Sequence, residues 1–174
     1  MKTILKNVTL LPETGYCEGK WHVTVENARI ASITRELPDT TGAKVVDAKG
    51  NLLMPGFYNA HTHAAMTLFR GYGEDLPLQR WLEERIFPAE DRLNYENVTV
   101  ATRLAIAEML KGGIVSFSDM YMFQDVVADV ALETGMKANL SRSLVSFSPD
   151  INIADDYRFA EAKALVEQYQ NCGD

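Results

Sequence analysis

Cysteine is scarce in this chain. Cys17 and Cys172 stand far apart and form no CxxC pair. That excludes a disulfide framework and a cysteine-rich metal site, and predicts two reduced structural thiols. Long apolar runs are missing too: none approaches the ~20 residues that cross a bilayer. The opening Met1–Leu11 is broken repeatedly by polar residues. It lacks the uninterrupted apolar core of a signal peptide, so the sequence reads as cytoplasmic, with no membrane partner. There is no basic cluster, and the net charge is −7. Nucleic-acid binders show a basic face, so that class is disfavoured, although a nucleoside-sized ligand is not. What remains is globular composition, 47% hydrophobic and 24% charged over 174 residues.

Residues 1–54 read as short strands rich in Val, Ile and Thr: Ile4–Leu11, Trp21–Glu26, Arg29–Thr34 and Lys44–Asp47. Turn residues separate them, which predicts an antiparallel sheet or half of a sandwich. The character changes around Pro55 and Gly56, and residues 55–174 alternate strands with helices. Phe57–His63, Ile114–Ser118 and Met136–Val145 are the predicted strands. Leu78–Phe87 is a predicted short helix stopped by Pro88. Asn94 is the N-cap of a helix to Lys111, with Val100, Leu104, Ala107 and Leu110 as its buried face. Asp125–Thr134, ended by Gly135, and Asp155–Gln170 complete the pattern.

Such alternation predicts a parallel α/β arrangement. Three units are few for a (β/α)8 barrel of ~250 residues, and open strand edges call for a partner. The expected fold is therefore the N-terminal portion of a barrel, preceded by strands.

His61-Thr62-His63 is the strongest local signal. Strand positions two apart point to one face, so both imidazoles can reach one metal ion. The pair falls at the end of the first barrel strand, where barrel active sites lie. Packing or capping a turn is the plainer role for such a pair. His22, the third histidine, is read as a solvent-facing strand residue. A catalytic zinc usually takes three protein ligands, so the chain is short of at least one. Asp119 is read as a turn cap and Arg70 as a loop ion pair with Glu74 or Asp75.

The stretch Met54–Gly73, MPGFYNAHTHAAMTLFRGYG, resembles the opening of the amidohydrolase barrel. It is most similar to the branch of 5-methylthioadenosine/S-adenosylhomocysteine deaminases and chlorohydrolase-like enzymes. The likeness continues through Glu74–Pro77, Trp81, Leu82, Phe87–Glu90 and Ser118–Tyr121, and covers nearly the whole chain. It implies that the early strands belong to the family's small β-sandwich. It implies that His61 and His63 are the first two metal ligands, for one divalent ion: zinc first, with iron or manganese as alternatives.

The resemblance also matches Glu90 to a carboxylate that accepts ribose hydroxyls, and Arg142 to an arginine that holds substrate. Trp81 is a further candidate beside the substrate, against a plain core role. From the residues alone, Glu90 reads as a helix-surface glutamate and Arg142 as one half of an internal ion pair. The implied reaction is hydrolytic deamination of an adenosine analogue, in which the metal lowers the pKa of an attacking water. Guanine deaminase and triazine chlorohydrolase chemistry are alternatives within the branch. Family members continue past this length, with a third metal-binding histidine, a glutamate and an aspartate. The chain alone is thus expected to be inactive, and to associate with the missing barrel portion or form a homo-oligomer. A non-catalytic, oligomerising product is the remaining alternative.

Overall fold

In the computed structural model, residues 1–12, 14–144, 150 and 152–173 are described. The chain divides into two compact units, Met1–Gly56 and Phe57–Asp174. None of the helices among the described residues is long and apolar enough to cross a membrane.

The first unit is one sheet of β1 (Lys2–Leu10), β2 (Cys17–Glu26), β3 (Arg29–Thr34), β4 (Lys44–Asp47) and β5 (Leu52–Leu53). Its order is β3-β2-β1-β4, with β5 also paired to β1. β1, β2 and β3 are antiparallel, but β4 and β5 run parallel to β1. The expectation of an antiparallel sheet is corrected here to a mixed one. The connection after β3 returns the chain to the far side of β1, so β4 enters in the same direction as β1.

Ile4, Val8 and Val23 are the buried apolar residues of this unit, with Val8 and Val23 on one face of the sheet and Ile4 on the other. His22 is buried as well, contrary to the solvent-facing role expected of it. The cause is a bulge in β1 between Leu5 and Val8, with Asn7 at a positive φ of 57°. The bulge frees the Asn7 N–H from the ladder, and it donates to His22 Nδ1 at 3.4 Å.

The second unit is built on β6 (Phe57–Thr62), β7 (Ile114–Tyr121) and β8 (Lys137–Arg142), all parallel, in the order β6-β7-β8. A 3-10 turn at Ala64–Phe69 follows β6. Next comes one continuous helical stretch, α1 (Leu78–Trp81), a π turn (Leu82–Ile86) and α2 (Phe87–Glu90). Pro88 does not stop this stretch. In the π turn the Phe87 N–H bonds to Leu82 O, five residues back. That wider turn shifts the ladder just before the proline, and the helix resumes with Asp91 N–H on Phe87 O.

The remaining helices are α3 (Tyr95–Lys111), α4 (Gln124–Thr134) and α5 (Tyr157–Tyr169). Asn94 caps α3 in a reciprocal box with Asn97, as its sequence position predicts. Gly135 closes α4 at a φ of +71°, a conformation that favours glycine. The predicted α5 start at Asp155 moves to Tyr157, behind an Asp156 cap. The predicted third strand ends at Arg142, while Val145 lies outside the described residues, as does Asp174.

The buried face of α3 is not the expected one. Val98, Ala101, Thr102, Ala105, Ile106 and Met109 are buried, whereas Val100, Leu104 and Leu110 are exposed. The small residues Ala101 and Ala105 let the 3-10 turn lie close, and Thr67 Oγ1 reaches Ala101 O at 3.0 Å. Phe117 and Val127 join the same core. Each large side chain buried there contributes about 1.5–3 kcal/mol. The result is a strand order that places the C-terminal ends of β6, β7 and β8 side by side.

Candidate metal centre

β6 and β7 are out of step near their ends. Asn59 pairs with Phe117 and Thr62 with Asp119, so three steps on β6 face two on β7. The extra residue makes a bulge at 60–61, and bulges re-aim side chains beside active sites. Asn59 Oδ1 accepts the His61 N–H at 3.3 Å, which supplies a partner inside the bulge. The imidazoles of His61 and His63 meet edge to face, ring centroids 5.1 Å apart. Two imidazoles bound tetrahedrally at ~2.1 Å put their centroids ~5 Å apart, so the pair fits one ion.

His63 is half-buried, and its Nδ1 lies 2.6 Å from the carbonyl of Met120. An Nδ1–H donated to a carbonyl leaves Nε2 free with its lone pair, the usual arrangement of a metal-bound histidine. His61 is exposed. No group of three or more His, Cys, Asp or Glu side chains that could hold a metal gathers among the described residues. The two histidines therefore offer a fitting but partial ligand set.

Asp119 anchors this turn from β7. It is 2% exposed. Its Oδ1 accepts the N–H of Ala64, the residue after His63, at 2.9 Å. Its Oδ2 accepts Gln124 Nε2 at 2.9 Å. Burial pushes its pKa up, and these two donors oppose the shift. The turn-capping role expected of Asp119 is what the geometry provides.

Glu90 ends α2 and is half-buried. Tyr121, the last residue of β7, donates its hydroxyl to Glu90 Oε1 at 2.6 Å. Burial raises the Glu90 pKa, while the Tyr121 hydrogen bond and the nearby His63 ring lower it. Tyr121 itself is raised, by burial and then by Glu90. Its ring lies 5.7 Å from that of His63. Tyr121 thus brings Glu90 and His63 into one cluster. Sequence reasoning gave Tyr121 and Asp119 no shared role, although their spacing of two on one strand was the available signal.

Arg142 ends β8 in register with Tyr121. Its side chain is 9% exposed and its Nε bonds to Glu161 Oε2 at 2.6 Å. That is the internal ion pair allowed for it. Trp81 Nε1 donates to Tyr72 O at 3.1 Å, packing the indole on the 71–75 loop. Gly73 in that loop has a φ of +77°, and a Cβ there would lie 2.7 Å from Arg85 Cγ. Arg70 pairs with both carboxylate oxygens of Glu108, not with Glu74 or Asp75. A surface cleft of about 540 Å³ is lined by residues 68–72 and by Pro88, Ala89, Arg92, Leu93 and Asn97, and none of the candidate metal or substrate residues lines it.

Comparison with known proteins decides the family. The amidohydrolase family model matches residues 52–171. The chain belongs to the amidohydrolase family. Among curated amidohydrolases, the 5-methylthioadenosine/S-adenosylhomocysteine deaminase of Syntrophomonas wolfei is 37% identical over 98% of this chain and 39% of its own length. The 5'-deoxyadenosine deaminase of Methanosarcina mazei is 42% identical over 96% of this chain and 38% of its own. A solved adenosine deaminase from Xanthomonas campestris, with bound zinc, superposes with a TM-score of 0.75 at 32% identity. That match covers 97% of this chain and 40% of the solved one. The fold is thus α/β, the N-terminal part of an amidohydrolase barrel with its preceding strands. The chain spans about two fifths of the length of the relatives it matches.

Proposed function

We propose that this chain supplies the first metal ligands and part of the substrate site of a hydrolytic deaminase of adenosine analogues. The 5-methylthioadenosine and S-adenosylhomocysteine type is the substrate class. One observation carries the reading: a paired His61–His63 whose Nδ1 is tied to Met120 O, joined through Tyr121 to the carboxylate of Glu90. Both curated relatives described above carry adenosine-type names, which supports this class over guanine or triazine substrates.

His61 and His63 hold the metal, and imidazole nitrogen makes zinc the first choice, with iron or manganese as substitutes. A bound ion would lower the pKa of the water that attacks the carbon losing ammonia. Around it the chain's residues do the positioning. Met120 O fixes the tautomer of His63, and Asp119 holds the turn that follows it. Glu90 accepts hydroxyls of the sugar, because an ionised carboxylate offers only acceptors. Arg142 is the second substrate contact and trades Glu161 for the ligand. Trp81 closes the apolar side. The exposed apolar residues Val100, Leu104 and Leu110 of α3 support association with further barrel elements or a second copy.

The test is Glu90→Gln in the metal-loaded enzyme that also carries the remaining barrel elements, with adenosine-analogue affinity measured by titration calorimetry. The substitution keeps the size and removes the charge. Affinity should fall about tenfold, the loss of one charge-assisted hydrogen bond. Unchanged affinity would remove the sugar from Glu90 and leave the substrate class without its contact.

A further inference from the structure

We infer that Tyr121 is a positioning residue for substrate recognition: it aims the Glu90 carboxylate and sets its place relative to the metal ligand His63. The inference rests on the reading of Glu90 as the hydroxyl acceptor. Glu90 is the last residue of the continuous helical stretch 78–90 and is separated from Tyr121 by 31 positions. At a helix end no following turn packs against the side chain to fix its direction. The Tyr121 hydroxyl does so, donating to Oε1 at 2.6 Å, while Oε2 accepts no hydrogen bond from the described residues. One oxygen is thereby held by the protein and the other left to a ligand hydroxyl.

Tyr121 is well placed for this. It is 5% exposed, and it ends the central strand of its sheet. Its ring also packs against His63, centroids 5.7 Å apart and planes at 36°. A tyrosine has only two side-chain torsions, so one buried, rigid group touches both halves of the site. It therefore fixes the span between the metal ligand and the sugar acceptor. Nucleosides that present a hydroxyl at that span are favoured over those that do not.

The experiment is a pair of variants in the metal-loaded enzyme that also carries the remaining barrel elements, Tyr121→Phe and Glu90→Gln, with their combination. Tyr121→Phe keeps the ring against His63 and removes only the hydroxyl, so metal content should not change. KM for a hydroxyl-bearing adenosine analogue should rise about tenfold, with kcat within about twofold. KM for the 2',3'-dideoxy analogue should stay the same. The double variant should be no worse than Glu90→Gln alone, because Tyr121 acts through Glu90. Multiplied effects in the double variant would overturn the inference, as would an equal rise of KM for the dideoxy analogue. If Glu90→Gln raises KM and Tyr121→Phe does not, Tyr121 has no such role while the Glu90 reading stands. If Glu90→Gln itself does nothing, the Glu90 reading fails first and this inference with it. A measurement independent of turnover is the ¹³C shift of the Glu90 carboxyl at fixed pH. It should move in Tyr121→Phe, and an unmoved signal would overturn the anchoring.

Discussion

The two seams of the β6-β7-β8 sheet are built differently. Between β6 and β7 the register breaks at a bulge, and buried or half-buried side chains stitch the strand ends together. Ala64 N–H reaches Asp119 and His63 reaches Met120 O across the seam, and Tyr121 ties the same end of β7 to Glu90 of α2. Between β7 and β8 the register is regular from Ser116/Lys137 to Tyr121/Arg142. The functional candidate there, Arg142, is held by Glu161, itself about half exposed. The first seam fixes its groups in place before any ligand arrives. The second keeps a charged group in reserve on a partner that water can replace. Such a division suits the proposed roles, in which the metal ligands and the sugar acceptor are preorganised and Arg142 exchanges partners.

The largest effect that would sharpen this contrast comes from His63. His63→Ala should lower zinc affinity by more than about 100-fold, since even partners of ligands are worth about 10–100-fold. Calorimetric titration with zinc checks it. Retention of wild-type affinity would mean that the tied imidazole is a structural residue and that the first seam is not a metal seam. Next comes Asp119→Ala. It leaves the Ala64 N–H and Gln124 Nε2 without their acceptor in a buried place. The expected cost is about 3 kcal/mol, read from urea unfolding. Asp119→Asn keeps an acceptor for Ala64 and should cost about 1 kcal/mol. A cost of Asp119→Ala below that of an ordinary surface change would break the claim that the seam is preorganised.

Much of this arrangement was legible in the sequence, and the exceptions have physical causes. Strand–helix alternation after Gly56, the Asn94 cap and the Gly135 stop depend on local preferences, and they stand in the structure. The expected α3 face follows the large apolar residues Val100, Leu104 and Leu110, and these are exposed. The packing instead uses Ala101 and Ala105, whose small size admits a backbone close by. Pro88 predicts a stop because a proline lacks an N–H. A π turn upstream rearranges the bonds around it, and no local preference announces that. His22 was misplaced because a bulge at Asn7 decides its partner. The Tyr121–Glu90 bond could not be read at all: it joins residues far apart in the chain and depends on where α2 meets the end of β7. The HxH pair was visible, yet the bulge that aims it and the carbonyl that holds its tautomer were not.

The smallest effect belongs to the second seam, and it tests whether that seam is truly exchangeable. Glu161→Gln removes the charge that faces Arg142. Glu161 is about half exposed, so solvent screens the pair, and stability should fall by less than about 1 kcal/mol in urea unfolding. The informative quantity is ligand binding. If Arg142 must leave Glu161 to hold a substrate, weakening that pair removes a competitor. Affinity for a carboxylate-bearing adenosine analogue such as S-adenosylhomocysteine should then hold or rise by about twofold to threefold, within the worth of an exposed ion pair. A loss of affinity would show that Glu161 positions Arg142 rather than parks it. The two seams would then follow one rule, with every polar group of the site held by a second group behind it.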